Sequence, residues 1–321
     1  MLLERGADVN AQGGEYGYTL QAASYGGHKK MAEMLLKRGA DVNVPKDGLL
    51  PIHHAARGRN IEIVKMMAVR EGVNVRTKKQ ELLIHFACRQ GHLEAVKYLL
   101  DEGSEETADK DGRLPIHEAA FGGNIEIVEM LAGRESVSAL TKQGESLLHC
   151  AARKGHLQVF QFLQSKQIAD WADIDGYWPI HEAAKGENLE LFVLLSENRR
   201  YPCSNEWRRT TLHRASSAGN AEIIRLLRRS GFDPYCADVT KLTPLYFATR
   251  GKRIHAVELL PANDANPNIV DKFGWSLLHE AVVSGEKELV LKYLDLGLDP
   301  LHRALNGVIP SRSPSREERT E

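Results

Sequence analysis

The chain has 321 residues, and its 42 basic residues nearly balance its 43 acidic ones, leaving a formal net charge of −1 at pH 7. This balance excludes a broad basic field for nucleic acid or an anionic membrane, and no apolar stretch reaches the ~18 residues that span a bilayer. The four cysteines have no CxxC spacing, so no disulfide framework is predicted. We therefore expect a reducing compartment, the cytoplasm or alternatively the nucleus.

The chain opens on MLLERGADVN, which has the pattern of a helix end followed by a turn. Residues 35–43, LLKRGADVN, show nearly the same pattern after a full amphipathic helix. We interpret residues 1–14 as the second half of a truncated repeat, and we expect the chain to be a fragment of a longer protein.

Histidines then mark a repeat along most of the chain. They lie 32 residues apart up to residue 213, and Tyr246 and His279 continue the series at steps of 33, while Gln21 precedes it. The motif histidines are His53, His85, His117, His149, His181, His213 and His279. Each unit predicts a turn, a short Ala-rich helix, a Gly-containing break and a second, amphipathic helix. Such short helices bury their apolar faces only against neighbouring units, so the period predicts an all-α solenoid of about nine repeats.

The predicted organisation is repeat 1 at residues 15–46, repeats 2–7 at 47–238, and repeats 8 and 9 at 239–305. Within 47–238 a proline and an asparagine recur every 64 residues, which indicates three tandem blocks of two repeats. These residues are Pro51, Pro115 and Pro179, and Asn60, Asn124 and Asn188. Residues 306–321, rich in Ser, Pro and charge, predict a disordered tail with a candidate phosphorylation site at Ser313.

The phrases LPIHEAA, TPLYFAT, SLLHEAV and GADVN resemble the ankyrin repeat. The resemblance covers roughly residues 1–300. It implies two antiparallel helices and a projecting finger in each unit, and a concave surface of fingers and first helices that binds partner proteins. It also implies that the motif histidines are structural and bond to a Thr that caps the first helix. The phrase GGEYGYTLQAASYGGH is similar to ankyrin arrays of fungal NLR-like proteins, which follow a NACHT domain.

Two departures from the family pattern lead to predictions. In four units an apolar residue replaces the capping Thr, namely Leu50, Leu82, Leu114 and Trp178. We expect these helices to lack a hydroxyl cap and to depend more on packing than on polar bonds. In three units another residue replaces the glycine between the helices, namely Arg59, Glu187 and Lys252. There we expect either a shifted cap or a strained left-handed backbone.

No motif predicts catalysis. HEAAF, HEAAK and HEAVV approach the H-E-x-x-H zinc signature, but Phe121, Lys185 and Val283 take the place of the second histidine. Neither a phosphate-binding loop nor a nucleophile elbow is present in the sequence. We therefore predict no enzyme activity, no cofactor and no metal.

Aromatic and arginine side chains gather in the fingers of the second half of the chain. The candidate partner-binding residues are Trp171, Tyr177, Tyr201, Trp207, Arg208, Arg209, Tyr235, Phe273 and Trp275. Residues of these types dominate binding energy at interfaces. The alternative is that the rings bury one another between adjacent fingers. A basic stretch, VRTKKQ, marks a further finger that is either a solvated surface or a site.

These patterns predict a monomeric, non-catalytic scaffold that binds a partner protein on its concave finger and first-helix surface. Neither nucleic acid nor a membrane is expected as a partner. The alternative hypothesis is that the repeats are the sensor array of a larger NLR-like nucleotide-binding signalling protein.

Overall fold

The computed structural model describes residues 7–134, 136–168, 171–186, 188–197, 204–205, 207–260 and 270–312. The chain divides into two compact units. The first comprises Met1–Ala151 and Gln158–Ala169, and the second comprises Ala152–Leu157 and Asp170–Glu321.

The helices of the first unit come in pairs, a short first helix followed by a second one. They are α1 (Thr19–Tyr25), α2 (Lys29–Lys37), α3 (Pro51–Arg57), α4 (Ile61–Glu71), α5 (Leu83–Arg89), α6 (Leu93–Asp101), α7 (Pro115–Gly122), α8 (Ile125–Ala132) and α10 (Leu157–Ser165). Helix α9 (Leu147–Lys154) begins in this unit and ends in the second. Within this unit α1 packs on α3, α3 on α5, and α5 on α7.

The second unit repeats the same pairing. Its helices are α11 (Pro179–Lys185), α12 (Leu189–Glu197), α13 (Thr211–Ala218), α14 (Ala221–Arg229), α15 (Pro244–Arg250), α16 (Ile254–Leu259), α17 (Leu277–Ser284) and α18 (Lys287–Asp295), followed by a 3₁₀ turn (Pro310–Arg312). The described residues thus contain eighteen α-helices in nine pairs, and their extended pairing is limited to isolated bridges such as Lys46–Leu49. The predicted all-α repeat fold is confirmed.

Close backbone approach explains the glycine that ends the first helix in alternate repeats. A Cβ built on Gly58 would lie 2.2 Å from the carbonyl oxygen of Tyr25 in the preceding repeat, and one on Gly122 would lie 2.6 Å from that of Arg89. The residue that follows this glycine has a left-handed backbone, as the same position has in the other described repeats. Arg59 adopts it with a φ of 65°, which is the strained alternative expected from the sequence.

The same strain occurs at Lys252, whose φ is 59°, whereas Glu187 lies outside the described residues. In the intervening repeats glycine itself takes the left-handed position, as at Gly91 with a φ of 70°. The two kinds of repeat differ in which residue approaches the preceding repeat. The complete sequence pattern therefore recurs every two repeats.

The motif histidines bond to backbone groups, all seven of them through Nδ1. In all seven, Nδ1 accepts the N–H of the residue three positions earlier, at 3.0–3.2 Å. This holds for Leu50, Leu82, Leu114 and Trp178 as well, so these histidines keep a backbone partner although the hydroxyl cap is absent there. The hydroxyls of Ser146, Thr210 and Ser276 lie 2.8–2.9 Å from the same nitrogen.

In five of these histidines the opposite nitrogen, Nε2, bonds to a backbone carbonyl of the following finger; they are His53, His85, His117, His213 and His279. Nε2 donates to the carbonyl of Arg113 from His85 at 3.0 Å and to that of Val308 from His279 at 3.1 Å. Gln21, which precedes the histidine series, donates to Val44 in the same way at 2.9 Å. The motif residue therefore links one repeat to the next.

Residues 304–312 continue the repeat beyond the ninth helix pair. The N–H of Ala304 donates to the carbonyl of Val308 at 2.9 Å, and Leu305 donates to Phe273 of the preceding finger at 2.9 Å. The predicted tail starts at residue 306, and its described part, 306–312, is bonded to repeat nine. Ser313 and the residues after it lie outside the described chain.

Candidate partner-binding surfaces

Short turns with a common construction present the finger side chains. In the finger of repeat four, the carboxylate of Asp109 accepts the N–H groups of Asp111 and Arg113, both at 2.8 Å. The residue three positions after this base has a left-handed backbone, as in Gly112 with a φ of 80°. Because backbone groups and the base side chain hold the turn, the tip residues between them are free to vary.

In three fingers a residue other than glycine takes this left-handed position, three residues after the base. These residues are Gln80, Arg208 and Lys241, with φ values of 63°, 59° and 66°. This conformation costs a residue with a Cβ roughly 1 kcal/mol relative to glycine. The three side chains are thus kept against a local energetic preference.

Buried ion pairs account for the glutamates of the HEAA phrases. The side chain of Glu118 is almost fully buried, and its Oε2 lies 2.5 Å from Nε of Arg89 in the preceding repeat. Glu182 is equally buried and pairs with Arg153 at 2.6 Å. These glutamates join neighbouring first helices. Among the residues that the structure describes, no group of three or more His, Cys, Asp or Glu side chains is placed to hold a metal ion.

The structure divides the predicted aromatic residues into exposed and buried groups. Trp171, Trp207 and Phe273 are 60, 49 and 57 % exposed. Tyr177 and Trp275 are only 7 and 4 % exposed, and their rings lie 5.6 and 5.1 Å from those of His181 and His279. The buried pair stabilises the finger bases, and the exposed residues present ring surface to solvent.

The two arginines beside Trp207 differ in the same way. Nε of Arg209 lies 2.9 Å from the buried carboxylate of Asp238, and its guanidinium lies 5.1 Å from the ring centre of Phe247. Arg209 is therefore held against the next repeat. Arg208 is exposed at the strained finger tip and forms no ion pair with a described residue. Tyr235 is half-buried.

Tyr201 lies outside the described residues. Two further apolar residues in the same fingers, Ile174 and Val239, are 65 and 50 % exposed and were not predicted from the sequence. They occupy the tip position at which the fingers of the first unit carry lysine, so comparing that single position between repeats would have found them. Together with Trp171, Trp207 and Phe273 they form what we call the apolar finger row.

Hydrogen bonds link neighbouring fingers of the second unit. The N–H of Val239 donates to the carbonyl of Trp207 at 3.0 Å, and the side-chain amide of Asn205 donates to the carbonyl of Asp175 at 2.9 Å. These bonds fix the spacing between tips, so side chains on successive fingers present themselves as one row.

A family model described as ankyrin repeats (3 copies) matches overlapping segments that together cover residues 1–304, namely 1–79, 52–141, 84–175, 148–238, 180–271 and 212–304. The chain belongs to the ankyrin-repeat family. These repeats make it a protein–protein interaction module, and they imply protein partners. Among the helices that the structure describes, none has the length and apolar character needed to cross a membrane.

One curated relative shares a short segment with the chain. It is the azaphilone pigments biosynthesis cluster protein L of Monascus ruber, 71 % identical over 34 residues. The match covers 11 % of this chain and 7 % of the relative. A segment of this size corresponds to about one repeat unit.

Proposed function

We propose that the chain is a monomeric, non-catalytic scaffold that binds a partner protein through the apolar finger row of its second unit. The observation that carries this proposal is the exposure of large apolar side chains on successive fingers. Contiguous exposed apolar surface of this kind marks interaction sites on soluble proteins. The wider concave surface of first helices adjoins the fingers in each repeat and completes the proposed binding face.

Trp207 and Arg208 are the residues from which we expect the largest contribution. Tryptophan and arginine are the most enriched types among residues whose truncation costs 2 kcal/mol or more of binding energy. Arg208 also occupies a left-handed tip at which glycine would be less strained, and such local cost is concentrated at functional sites. Burial of Trp207 by a partner would remove its exposed ring from water.

The test compares the double variant Trp207→Ala, Arg208→Ala with the parent chain, each immobilised and exposed to extract from the source cells. Proteins that the parent captures and the variant loses are purified, and their dissociation constants are measured by calorimetry. We expect at least a tenfold loss of affinity, with a melting temperature nearly unchanged because neither side chain packs in the core. A large fall in melting temperature with capture unaltered would contradict the proposal.

The cytoplasm, or alternatively the nucleus, is the compartment that we propose on the cysteine pattern. The hypothesis of a sensor array in an NLR-like protein gains no support from the geometry of either unit.

A further inference from the structure

The fingers of the first unit carry a different chemistry at the tip position. Lysine recurs there at intervals of 32 residues, at Lys46, Lys78, Lys110 and Lys142. Lys46 is partly exposed and the other three are exposed, and none of them forms an ion pair with a described residue. We call these four residues the lysine row.

Backbone hydrogen bonds between fingers fix the spacing of this row. The N–H of Lys110 donates to the carbonyl of Lys79 at 2.8 Å, and that of Lys142 donates to Asp111 at 2.9 Å. Successive tips are therefore separated by one repeat, roughly 10 Å, the distance between packed helices. The lysines are presented at a regular interval by a rigid support.

A cavity of about 310 Å³ lies beside the row, between the second and third fingers and the first helices behind them. Its lining includes the ring of Phe86 and the cationic side chains of Arg57, Lys78 and Lys79. Arg89 also lines it but is neutralised by Glu81 at 2.7 Å and by Glu118 at 2.5 Å.

Positive charge is in excess in this cavity. Apart from the paired Arg89 and Glu81, the lining contains three cations against one carboxylate, that of Asp47. The guanidinium of Arg57 lies 5.9 Å from the ring centre of Tyr25, a contact that orients it without cancelling its charge. The cavity thus combines an aromatic floor with uncompensated positive charge.

We propose that the lysine row and this cavity bind an extended acidic segment of a partner polypeptide. A chain in the polyproline II conformation has three residues per turn and advances about 3.1 Å per residue, so acidic side chains at every third position lie on one face and match the spacing of roughly 10 Å between lysines. One glutamate enters the cavity, with its carboxylate near Arg57 and Lys79.

A polypeptide fits these observations better than a nucleic acid. The positive charge is confined to a single row on a chain with a net charge of −1, whereas a phosphate backbone requires a broad basic surface. The site is independent of the apolar finger row, which lies in the other unit. Failure of either proposal therefore leaves the other intact.

The experiment measures fluorescence anisotropy of labelled peptides on the full chain. The probe carries one glutamate for each lysine of the row. These glutamates stand at every third position, with Ser and Ala between them. One control peptide has the same composition with its glutamates in a single run, and another has glutamine in place of glutamate. We expect the spaced peptide to bind several-fold more tightly than the run and to lose affinity with added salt. The glutamine peptide should not bind.

Variants locate the site. Lys78→Ala with Lys79→Ala should lower affinity for the spaced peptide about fivefold, since exposed ion pairs each contribute about 0.5 kcal/mol. The matched control, Lys30→Ala with Lys37→Ala, removes the same charge from exposed positions on α2 and should leave affinity unchanged. The Trp207→Ala, Arg208→Ala variant should also bind the peptide normally.

Three outcomes would overturn the proposal. In the first, the spaced, run and glutamine peptides bind alike. In the second, both lysine pairs affect affinity equally, which would indicate a non-specific charge effect. In the third, a single-stranded oligonucleotide or a phosphopeptide displaces the spaced peptide and binds more tightly than it does, which would assign the row to phosphate.

Discussion

Lowering the pH should unfold this protein through its buried motif histidines. Burial lowers the pKa of His53, His117 and His213 from 6.5 to about 4, and desolvation is the largest cause in each. The rings are neutral at pH 7, with Nδ1 accepting a backbone N–H and Nε2 donating to the next finger. Protonation would give the ring a second N–H, on Nδ1, and this N–H would face another donor instead of an acceptor.

The sign of the effect follows from where the protons bind. Between pH 6.5 and about 4 the unfolded chain takes up protons at these histidines and the folded chain does not. Their contribution to stability is therefore complete above pH 6.5 and is lost as the pH falls towards 4. At pH 5 each histidine lowers the free energy of unfolding by about 2 kcal/mol relative to neutral pH, and the three together lower it by about 6 kcal/mol.

Urea denaturation at a series of pH values between 7.5 and 5 would measure this loss. Circular dichroism follows both units, whereas tryptophan fluorescence follows the second unit, because all four tryptophans lie between residues 171 and 275. The variant His53→Gln supplies the perturbation, since Gln21 makes the corresponding bond to Val44 in repeat one. It should reduce the pH dependence by one proton, about 1.4 kcal/mol per pH unit.

The control is His255→Gln, which replaces an exposed ring on α16 outside the motif series and shows whether a changed slope is specific to the motif histidines. If the free energy of unfolding changed by less than about 1.4 kcal/mol between pH 7.5 and 5, fewer than one buried histidine would be titrating as argued. An unchanged slope in His53→Gln would equally refute the reasoning.

Four other substitutions have expected outcomes. Burial, with a contribution from Asp41, raises the pKa of Glu71 to about 7, so its stabilising contribution is lost as the pH rises from 4.5 to 7. Denaturation at pH 8 should show Glu71→Gln more stable than the parent by about 1–2 kcal/mol after solvent screening, and no gain at pH 4.5. Arg208→Gly and Lys241→Gly should each stabilise the fold by about 0.5–1 kcal/mol by calorimetry, since both relieve a left-handed backbone, but only the former should weaken partner binding. Gly58→Ala should destabilise the chain by about 3 kcal/mol, measured by urea denaturation, because its methyl would meet the Tyr25 carbonyl; an unchanged midpoint would contradict the close approach.

Much of the fold could be predicted because each repeat uses the same contacts. The histidine spacing gives the helix pairs directly, since the ring must reach one backbone N–H in its own unit and one carbonyl in the next. The replacement of the capping Thr by Leu50 removes a hydroxyl group but does not leave the motif histidine without a partner. The Nδ1 atom of His53 accepts the backbone N–H of Leu50 at 3.0 Å, a bond that does not depend on the side chain at that position.

The candidate surface could be predicted only in part, because an aromatic residue in a finger can either pack on a motif histidine or be exposed to solvent. Tyr177 and Trp275 follow the left-handed glycine of their turns and pack on a motif histidine. Trp207 and Phe273 precede the left-handed residue and are exposed. Position within the turn decides burial, and residue type alone does not reveal it.

That distinction also explains how one fold can offer two chemistries. The turn is held by its base side chain and by backbone bonds, so the tip contributes little to stability and can be lysine, as in Lys110, or isoleucine, as in Ile174. Periodicity identifies the residues that the fold requires, such as His117, because the same contact recurs in every unit. Binding residues show the opposite signature, a position whose geometry recurs while its chemistry changes along the chain. By that criterion the tip position, with lysine in four fingers of the first unit and isoleucine or valine in two fingers of the second, is where partner recognition is expected.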